Sequence, residues 1–378
     1  MNGKKVSIIM PCYNAGKYIG EAIESVLNQD IEYQLIIVDD GSTDDTLDVV
    51  ARYNGNIDLV RSDHSGVANA RNKALAHLQG DYTLLLDADD SLEPHALNIL
   101  LGSVSGKKDV VYGRFSSWDS TMRNRVYMHD AARLKPNPFI SLSRGNFSPP
   151  GSMIIPSSAF EEIGGFDQEV AGCEDWDMLI RLARAGYRFR RVNKPVFNYR
   201  RHMGSASNQA YGMYLSGREV IHRCYRGDPR VALDMYPNGN TVDDHDTILQ
   251  NYCASCLALS ALSDDIDNAL KIIHDANLSE RSNLKAFGRN FTRGLWWYSL
   301  SDLSNRKLLI KNAQTNAIEV ITRSIKDTAL SKKIIKKILY PDFRQLLLRP
   351  GPKKARRMVR EMLLARDVID KHLGEKGK

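Results

Sequence analysis

Asp81-Tyr82-Thr83-Leu84-Leu85-Leu86-Asp87-Ala88-Asp89-Asp90 runs from an apolar segment straight into three carboxylates within four positions. The apolar part reads as a buried strand of a parallel sheet. The acids then sit just past the strand's carboxyl end, where open α/β sheets bind ligands. Three like charges desolvated together resist ionisation. A divalent cation relieves that crowding, and hard Mg²⁺ or Mn²⁺ takes one or two carboxylates and completes its shell with phosphates. This window therefore points to a sheet edge, a cation and a phosphate.

Working outward, residues 6–10, 33–38, 57–60 and 82–86 read as strands, and 17–29, 43–52 and 67–78 read as helices by their apolar spacing. Ser42 is the expected N-cap of the second of these helices. A further helix is expected over 93–101, with Pro94 in its first turn. Strands alternating with helices predict a parallel sheet with right-handed crossovers. Residues 119–150 are polar, rich in arginine and broken by prolines, and read as loops. A short strand at 153–155, a helix at 173–185 and an extended segment at 189–201 follow. Beyond 204 only helices are expected, at 252–262, 266–276, 283–300, 317–326, 332–339 and 353–373. The predicted organisation is an α/β domain over 1–205 and a helical region over 206–378.

The length of 378 residues exceeds what one ordinary core supports and agrees with two domains. At 43% hydrophobic and 26% charged residues the chain has core material and no bias towards disorder. No apolar run reaches the roughly 18 residues of a spanning helix, and the first residues do not read as a secretory leader. Five cysteines do not describe a disulfide framework, so a cytoplasmic setting is expected. Charge is uneven: residues 305–378 hold 20 Lys+Arg against 7 Asp+Glu, a net of +13, which leaves the preceding 304 residues at −6. A basic tail on an acidic body calls for an anionic partner of the tail.

Four segments place polar residues where chemistry can occur: Pro11-Cys12-Tyr13-Asn14, Asp39-Asp40-Gly41-Ser42, Asp87-Ala88-Asp89-Asp90 and Glu174-Asp175-Trp176-Asp177. The first three follow strands of one parallel sheet and should converge on one crevice. In this order, together with Gly66, Ala70-Arg71-Asn72 and Gly164-Gly165-Phe166-Asp167, they make the chain resemble the family 2 glycosyltransferases over residues 5–202. That resemblance implies a GT-A fold with a central, mostly parallel sheet and a nucleotide-sugar donor. It leaves the tail uncovered.

The resemblance also implies roles, position by position. Pro11 and Tyr13 stand where the family holds the nucleotide base, with Asn14 and Ala88 in the same donor site. Asp40 matches the acid that accepts from the uracil ring. Asp87 and Asp89 match the Asp-X-Asp motif, with Asp87 near ribose and metal and Asp89 the metal ligand. Asp175 matches the general base, and one base with one displacement implies inversion at the anomeric carbon. Two readings stand for Arg71, which either bridges the diphosphate or pairs with an acid of the site. His202 either approaches the metal or is a surface residue. Trp176 is either a platform for the acceptor or core. Glu174 is the alternative partner of the helix dipole.

The expected activity is transfer of a hexosyl or N-acetylhexosaminyl group from a UDP-sugar, with Mn²⁺ or Mg²⁺, to a glycan or lipid-linked glycan of a surface polysaccharide. A sugar nucleotidyltransferase and a non-catalytic sugar-nucleotide-binding or assembly protein are the alternatives. The first would carry a glycine-rich basic loop where Pro11-Cys12-Tyr13-Asn14 stands. Two motifs are decoys. Cys253-Ala254-Ser255-Cys256 has no second ligand pair and lies in an apolar helical pattern. Gly102-Ser103-Val104-Ser105-Gly106-Lys107-Lys108 is one residue short of a phosphate loop and lacks its Ser/Thr. In the tail, Lys332-Lys333-Ile334-Ile335-Lys336-Lys337 and Lys353-Lys354-Ala355-Arg356-Arg357 either meet an anionic membrane on the inner face of the cell membrane or form a helical face packed on the body. No nucleic-acid partner is expected, because no aromatics interleave the basic run.

Overall fold

The computed structural model describes residues 5–53, 55, 57–130, 134, 136–202, 209–279, 282–298, 306–325 and 328–339. The second basic cluster, 353–357, and the helix expected over 353–373 lie outside them. The strands are β1 (Val6–Cys12), β2 (Tyr33–Asp39), β3 (Asp58–Arg61), β4 (Tyr82–Leu85), β5 (Ser91–Leu92), β6 (Asp109–Trp118), β7 (Arg125–His129), β8 (Met153–Pro156) and β9 (Arg188–Arg200). The helices are α1 (Gly16–Leu27), α2 (Thr46–Val50), α3 (Val67–Leu75), α4 (Ala96–Leu101), α5 (Pro138–Leu142), α6 (Ser158–Ile163), α7 (Glu174–Arg184), α8 (Ala210–Cys224), α9 (His245–Leu262), α10 (Ile266–Asp275), α11 (Leu284–Tyr298), α12 (Arg306–Ser324) and α13 (Thr328–Leu339).

The chain divides into two compact units, one of 1–201 with 219–242, the other of 202–218 with 243–378. In the first, the sheet order is β3-β2-β1-β4-β8-β6-β9-β5, with β7 beside β6. β1 is buried along its whole length. It pairs in parallel with β2 through Ile8↔Leu35 and with β4 through Ile8↔Leu84. Helices cover such a strand on both faces, hence its near-continuous run of apolar residues. The polar exception, Ser7, gives its hydroxyl to Gln34 Oε1 at 2.6 Å and accepts the Gly80 N–H at 2.9 Å. The chain goes from β1 through β2 to β3 on one side, then returns to place β4 on the other side of β1. The point where strand order reverses, a usual ligand crevice, therefore lies between β1 and β4.

Three local expectations are corrected. The helix expected from Thr43 starts at Thr46, and Ser42 does not cap it; its hydroxyl accepts the Asn14 N–H at 3.0 Å, joining the loops after β1 and β2. The helix after β5 starts at Ala96, because His95 takes a left-handed φ of 61° and breaks the turn. Residues 119–150 are not all loop: β7 extends the β6 edge, and α5 is capped by Asn137, whose side chain accepts the Ile140 N–H at 3.1 Å. The strand there forms through cross-strand pairing, which a short polar segment cannot announce.

Residues 219–242 are fixed to the first unit by buried ions. The Arg184 guanidinium, fully buried, holds Asp234 at 2.7 Å and the carbonyls of Arg223, Arg226 and Tyr236. Arg223 and Arg230 reach Asp167 and Asp177 from the same segment. The second unit has a core of its own, to which α9 gives Leu257, α11 gives Phe291 and α12 gives Ile321. Leu330, Ile334 and Ile335 of α13 join that core while Lys332 and Lys333 stay exposed. The apolar stripe of this basic helix is thus used in packing. Cys253 and Cys256 are buried there, and all five cysteines are free thiols. Among the described residues no helix is long and apolar enough to cross a membrane.

Candidate active site

The loops after β1, β2 and β4 open at the carboxyl edge of adjacent parallel strands. Asn14, at φ 49°, binds the first two together: its Oδ1 accepts the backbone N–H of Thr43 at 2.8 Å and of Asp44 at 3.3 Å. Pro11 is buried within β1. Tyr13, 47% exposed, stands at the mouth with its ring 4.1 Å from that of His64. Asp40 is buried and accepts the Ser65 N–H at 3.0 Å on one oxygen and the Gly66 N–H at 2.8 Å on the other. Burial alone would raise its pKa, but these donors and Ser62 hold it below the usual carboxylate range. A carboxylate offers about four acceptor sites, so Asp40 can still take an N–H from a ligand.

The turn after β4 is held from behind. Arg200, 2% exposed, donates from Nε to the Asp89 carbonyl at 2.6 Å, and through its other nitrogens to Ser120 O and Glu21 Oε2. Its backbone N–H reaches Asp90 Oδ1 at 2.7 Å. Asp90 is therefore a buried structural acid, pushed well above its ordinary pKa by burial and then by Asp89 and Asp87. Burial, and then the Asp89 carboxylate, also raise Asp87 in spite of Arg71.

Arg71 joins this turn to α7. One guanidinium nitrogen meets Asp87 Oδ1 at 2.7 Å and another meets Glu174 Oε1 at 2.8 Å. The side chain is 3% exposed, and its Nε has no hydrogen-bond partner. Of the two readings of Arg71, the geometry displays the pairing with acids. The motifs at 70–72 and 164–167 interlock beside it: Asn72 donates to the Phe166 carbonyl at 2.8 Å and accepts the Phe166 N–H at 2.7 Å. Gly165 is required there, since its φ is 71° and a Cβ would lie 2.6 Å from Asn72 Oδ1.

At the N-terminus of α7 the three acids separate. Glu174 is spent on Arg71 and on the Gly172 N–H at 2.6 Å. Asp177, 2% exposed, belongs to the buried arginine cluster, with Arg181 Nε at 2.8 Å. Asp175 stays partly open, its Oδ1 accepting the Trp176 N–H at 2.7 Å and its Oδ2 the Asn146 amide at 2.9 Å. Burial first, then Glu174 and Asp87, push its pKa up to about 7 against the pull of Arg71. Trp176 is core: it is 3% exposed and its indole donates to the Leu142 carbonyl at 2.8 Å.

Asp87 and Asp89 offer carboxylate oxygens at one tight turn, with Asp87 keeping a second oxygen beside the one Arg71 holds. This hard-donor pair suits Mg²⁺ or Mn²⁺ with phosphates in the remaining positions. Among the described residues no three His, Cys, Asp or Glu side chains form a complete metal cage. His202 is counted with the second unit. Ala88 is buried between the two acids. Sequence reasoning missed His64, Asn146 and the part played by Arg200. The adjacent arginines at 200–201 were a signal for the last; an exposed histidine and a loop asparagine gave none.

Residues 7–162 match the glycosyl transferase family 2 model, and residues 140–204 match a model described as the N-terminal domain of galactosyltransferase. The chain is 30% identical over 226 residues to a hyaluronan synthase of Pasteurella multocida, a match that covers 57% of this chain and 22% of that protein. It is 27% identical over 290 residues to a chondroitin synthase of Pasteurella multocida (strain Pm70), covering 74% of this chain and 28% of that protein. The chain thus spans about a quarter of the length of these relatives. The crystal structure of S. aureus TarS 1-349 shares the fold with a TM-score of 0.51 and 20% identity, over 88% of this chain and 90% of that one. The α/β sheet followed by helices is accordingly of the GT-A type, and residues 7–162 are similar to the glycosyltransferases of family 2.

Proposed function

We propose that the protein is a metal-dependent, inverting glycosyltransferase that moves a sugar from a nucleotide-sugar, a UDP-sugar, to a hydroxyl of a glycan or lipid-linked glycan. The observation that carries this reading is the Arg71 bridge, which joins the Asp87-Ala88-Asp89 turn to the helix that presents Asp175. Asp87 of the donor-side pair and Glu174, the neighbour of the partly open Asp175, thus sit on opposite arms of one buried cation.

Each residue then has a task its chemistry can perform. Tyr13 offers a ring face for the base, and Asp40, an acceptor only, selects a base edge that carries an N–H, as uracil does. Asp89 and Asp87 would hold the divalent cation, which when bound neutralises charge on the departing diphosphate. Asp175, with a pKa near 7, is matched to take the acceptor hydroxyl's proton at neutral pH. A single displacement of this kind inverts the anomeric centre. The buried Cys12 thiol, raised to about 12 by burial and by Asp39, is no competing nucleophile. A polysaccharide as acceptor is supported by the names of the two synthases above, and an anionic surface as a further partner by the basic tail.

The test is incubation with a panel of nucleotide sugars and Mn²⁺ or Mg²⁺, measuring the small product. Release of UDP supports glycosyl transfer. Formation of UTP and a sugar 1-phosphate, only when inorganic diphosphate is added, would instead identify a sugar nucleotidyltransferase. Tight binding without turnover of any donor, with every acceptor class offered, would leave the binding-protein alternative.

A further inference from the structure

Asn146 lies in the loop between α5 and β8, 29 residues before the acid it touches. Its amide orientation is fixed internally, because Oδ1 accepts the backbone N–H of Phe147 at 2.8 Å. That leaves Nδ2 to point at Asp175 Oδ2, 2.9 Å away. The loop itself is pinned at both ends. Trp176, the neighbour of Asp175, donates to the Leu142 carbonyl at 2.8 Å. Phe147 packs edge-on against Tyr112 with ring centroids 4.9 Å apart, and the Ser148 and Ser152 hydroxyls meet at 2.6 Å. Gly145, at φ 147°, supplies the backbone turn that swings Asn146 outward.

We propose that Asn146 is a positioning residue for the general base: its amide N–H holds Asp175 Oδ2 while the helix N–H of Trp176 holds Oδ1, so that the carboxylate meets the acceptor in one orientation. This rests on the base reading of Asp175 given above. A carboxylate free to turn about its side-chain torsions would present its lone pairs in several directions. Clamped at both oxygens from different elements, it keeps one, and orientation of this kind is a large part of what an enzyme contributes to proton transfer.

The amide has a second effect. The groups facing Asp175 are Glu174 on its own helix, Arg71 on α3 and Asp87 on the β4 turn. The two acids and burial favour the protonated form. Arg71 and the two N–H donors favour the ionised form that can accept a proton. Asn146 is the donor that does not belong to the helix, and it is exposed, so replacing it removes the contact without opening the core.

The experiment titrates Asp175 directly, by carbon NMR of protein labelled at the aspartate carboxyls, in the wild type and in Asn146→Ala, with Asp175→Asn to assign the resonance. Loss of one hydrogen bond to the charged form predicts an Asp175 pKa higher by roughly half a unit to one unit in Asn146→Ala. The acid limb of kcat/KM should move upward by the same amount, kcat should fall about 10-fold or more, KM for the donor should hold, and Asn146→Gln should restore part of the loss. An unmoved carboxyl titration overturns the proposal. A carboxyl that moves while the rate profile does not retains Asn146 as the partner of Asp175 and removes the base role from Asp175, which separates failure of this inference from failure of the functional reading.

Discussion

Arg71 and Glu174 are separated by 103 residues, and their side chains meet at 2.8 Å in the interior. With Asp87 at 2.7 Å on the other arm, one guanidinium satisfies two acids from two distant motifs. Removing one partner of a buried ion set costs more than the set contributes, because the remaining charge is left desolvated. Arg71→Met should therefore destabilise the protein by about 3–5 kcal/mol, read as a lower urea midpoint. Arg71→Lys should recover only part of this, since an ammonium cannot fork between two carboxylates. Unchanged midpoints in both variants would show that the bridge does not hold the site.

Asp175 connects stability with pH. Its folded-state pKa, about 7, lies above the ordinary value of 3.8. The folded protein therefore binds this proton more tightly than the unfolded chain does, and Asp175 lowers stability progressively as pH rises from about 4 to 7, levelling off above. Asp175→Asn should melt with the wild type at pH 4 and at a higher temperature at pH 8. Activity should follow the opposite course, rising through an acid limb near pH 7, which a pH series of kcat/KM measures. A limb near the ordinary carboxylate value would contradict the shifted base.

Gly165 tests how the motifs interlock. Alanine there would force an L-residue to φ 71° and push against Asn72. Gly165→Ala should cost about 1–3 kcal/mol in denaturant unfolding. Gly55 also has a positive φ, but the space its Cβ would occupy has nothing within 4 Å, so Gly55→Ala should cost less. Equal losses would mean that backbone strain alone, and not the contact with Asn72, sets the requirement.

The basic tail is tested by charge. Replacing Lys353, Lys354, Arg356 and Arg357 with glutamine should weaken binding to phosphatidylserine vesicles at low salt, at about 1 kcal/mol per residue brought to the surface. The difference should shrink as salt is raised. Binding equal to wild type at low salt would remove the membrane partner.

Much of the first unit was legible because its central strands are buried on both faces and so spell near-continuous apolar runs, as 6–10 and 35–38 do. The loops after them carry acids at the sheet's carboxyl edge, and topology alone gathers Asp40, Asp87 and Asp89. What was hidden depends on pairing between distant segments. Ser42 looked like a helix cap but serves Asn14 across the crevice. Asp90 stands in sequence as one of three crowded acids, but it is the buried acceptor of the Arg200 N–H, 110 residues away. β5 and β7 are short and half-polar, and only their neighbours make them strands. The acids 174, 175 and 177 are alike in sequence. Arg71, Asn146 and the arginine cluster around Asp177 give them three different duties, and each of these partners comes at least in part from distant segments of the chain.

The most direct test compares wild type with Asp175→Asn for turnover of a UDP-sugar and, separately, for binding of UDP with Mn²⁺. The account predicts that turnover falls by at least about 100-fold, as loss of a general base requires, while UDP binding is kept. Turnover equal to wild type with binding intact would contradict it.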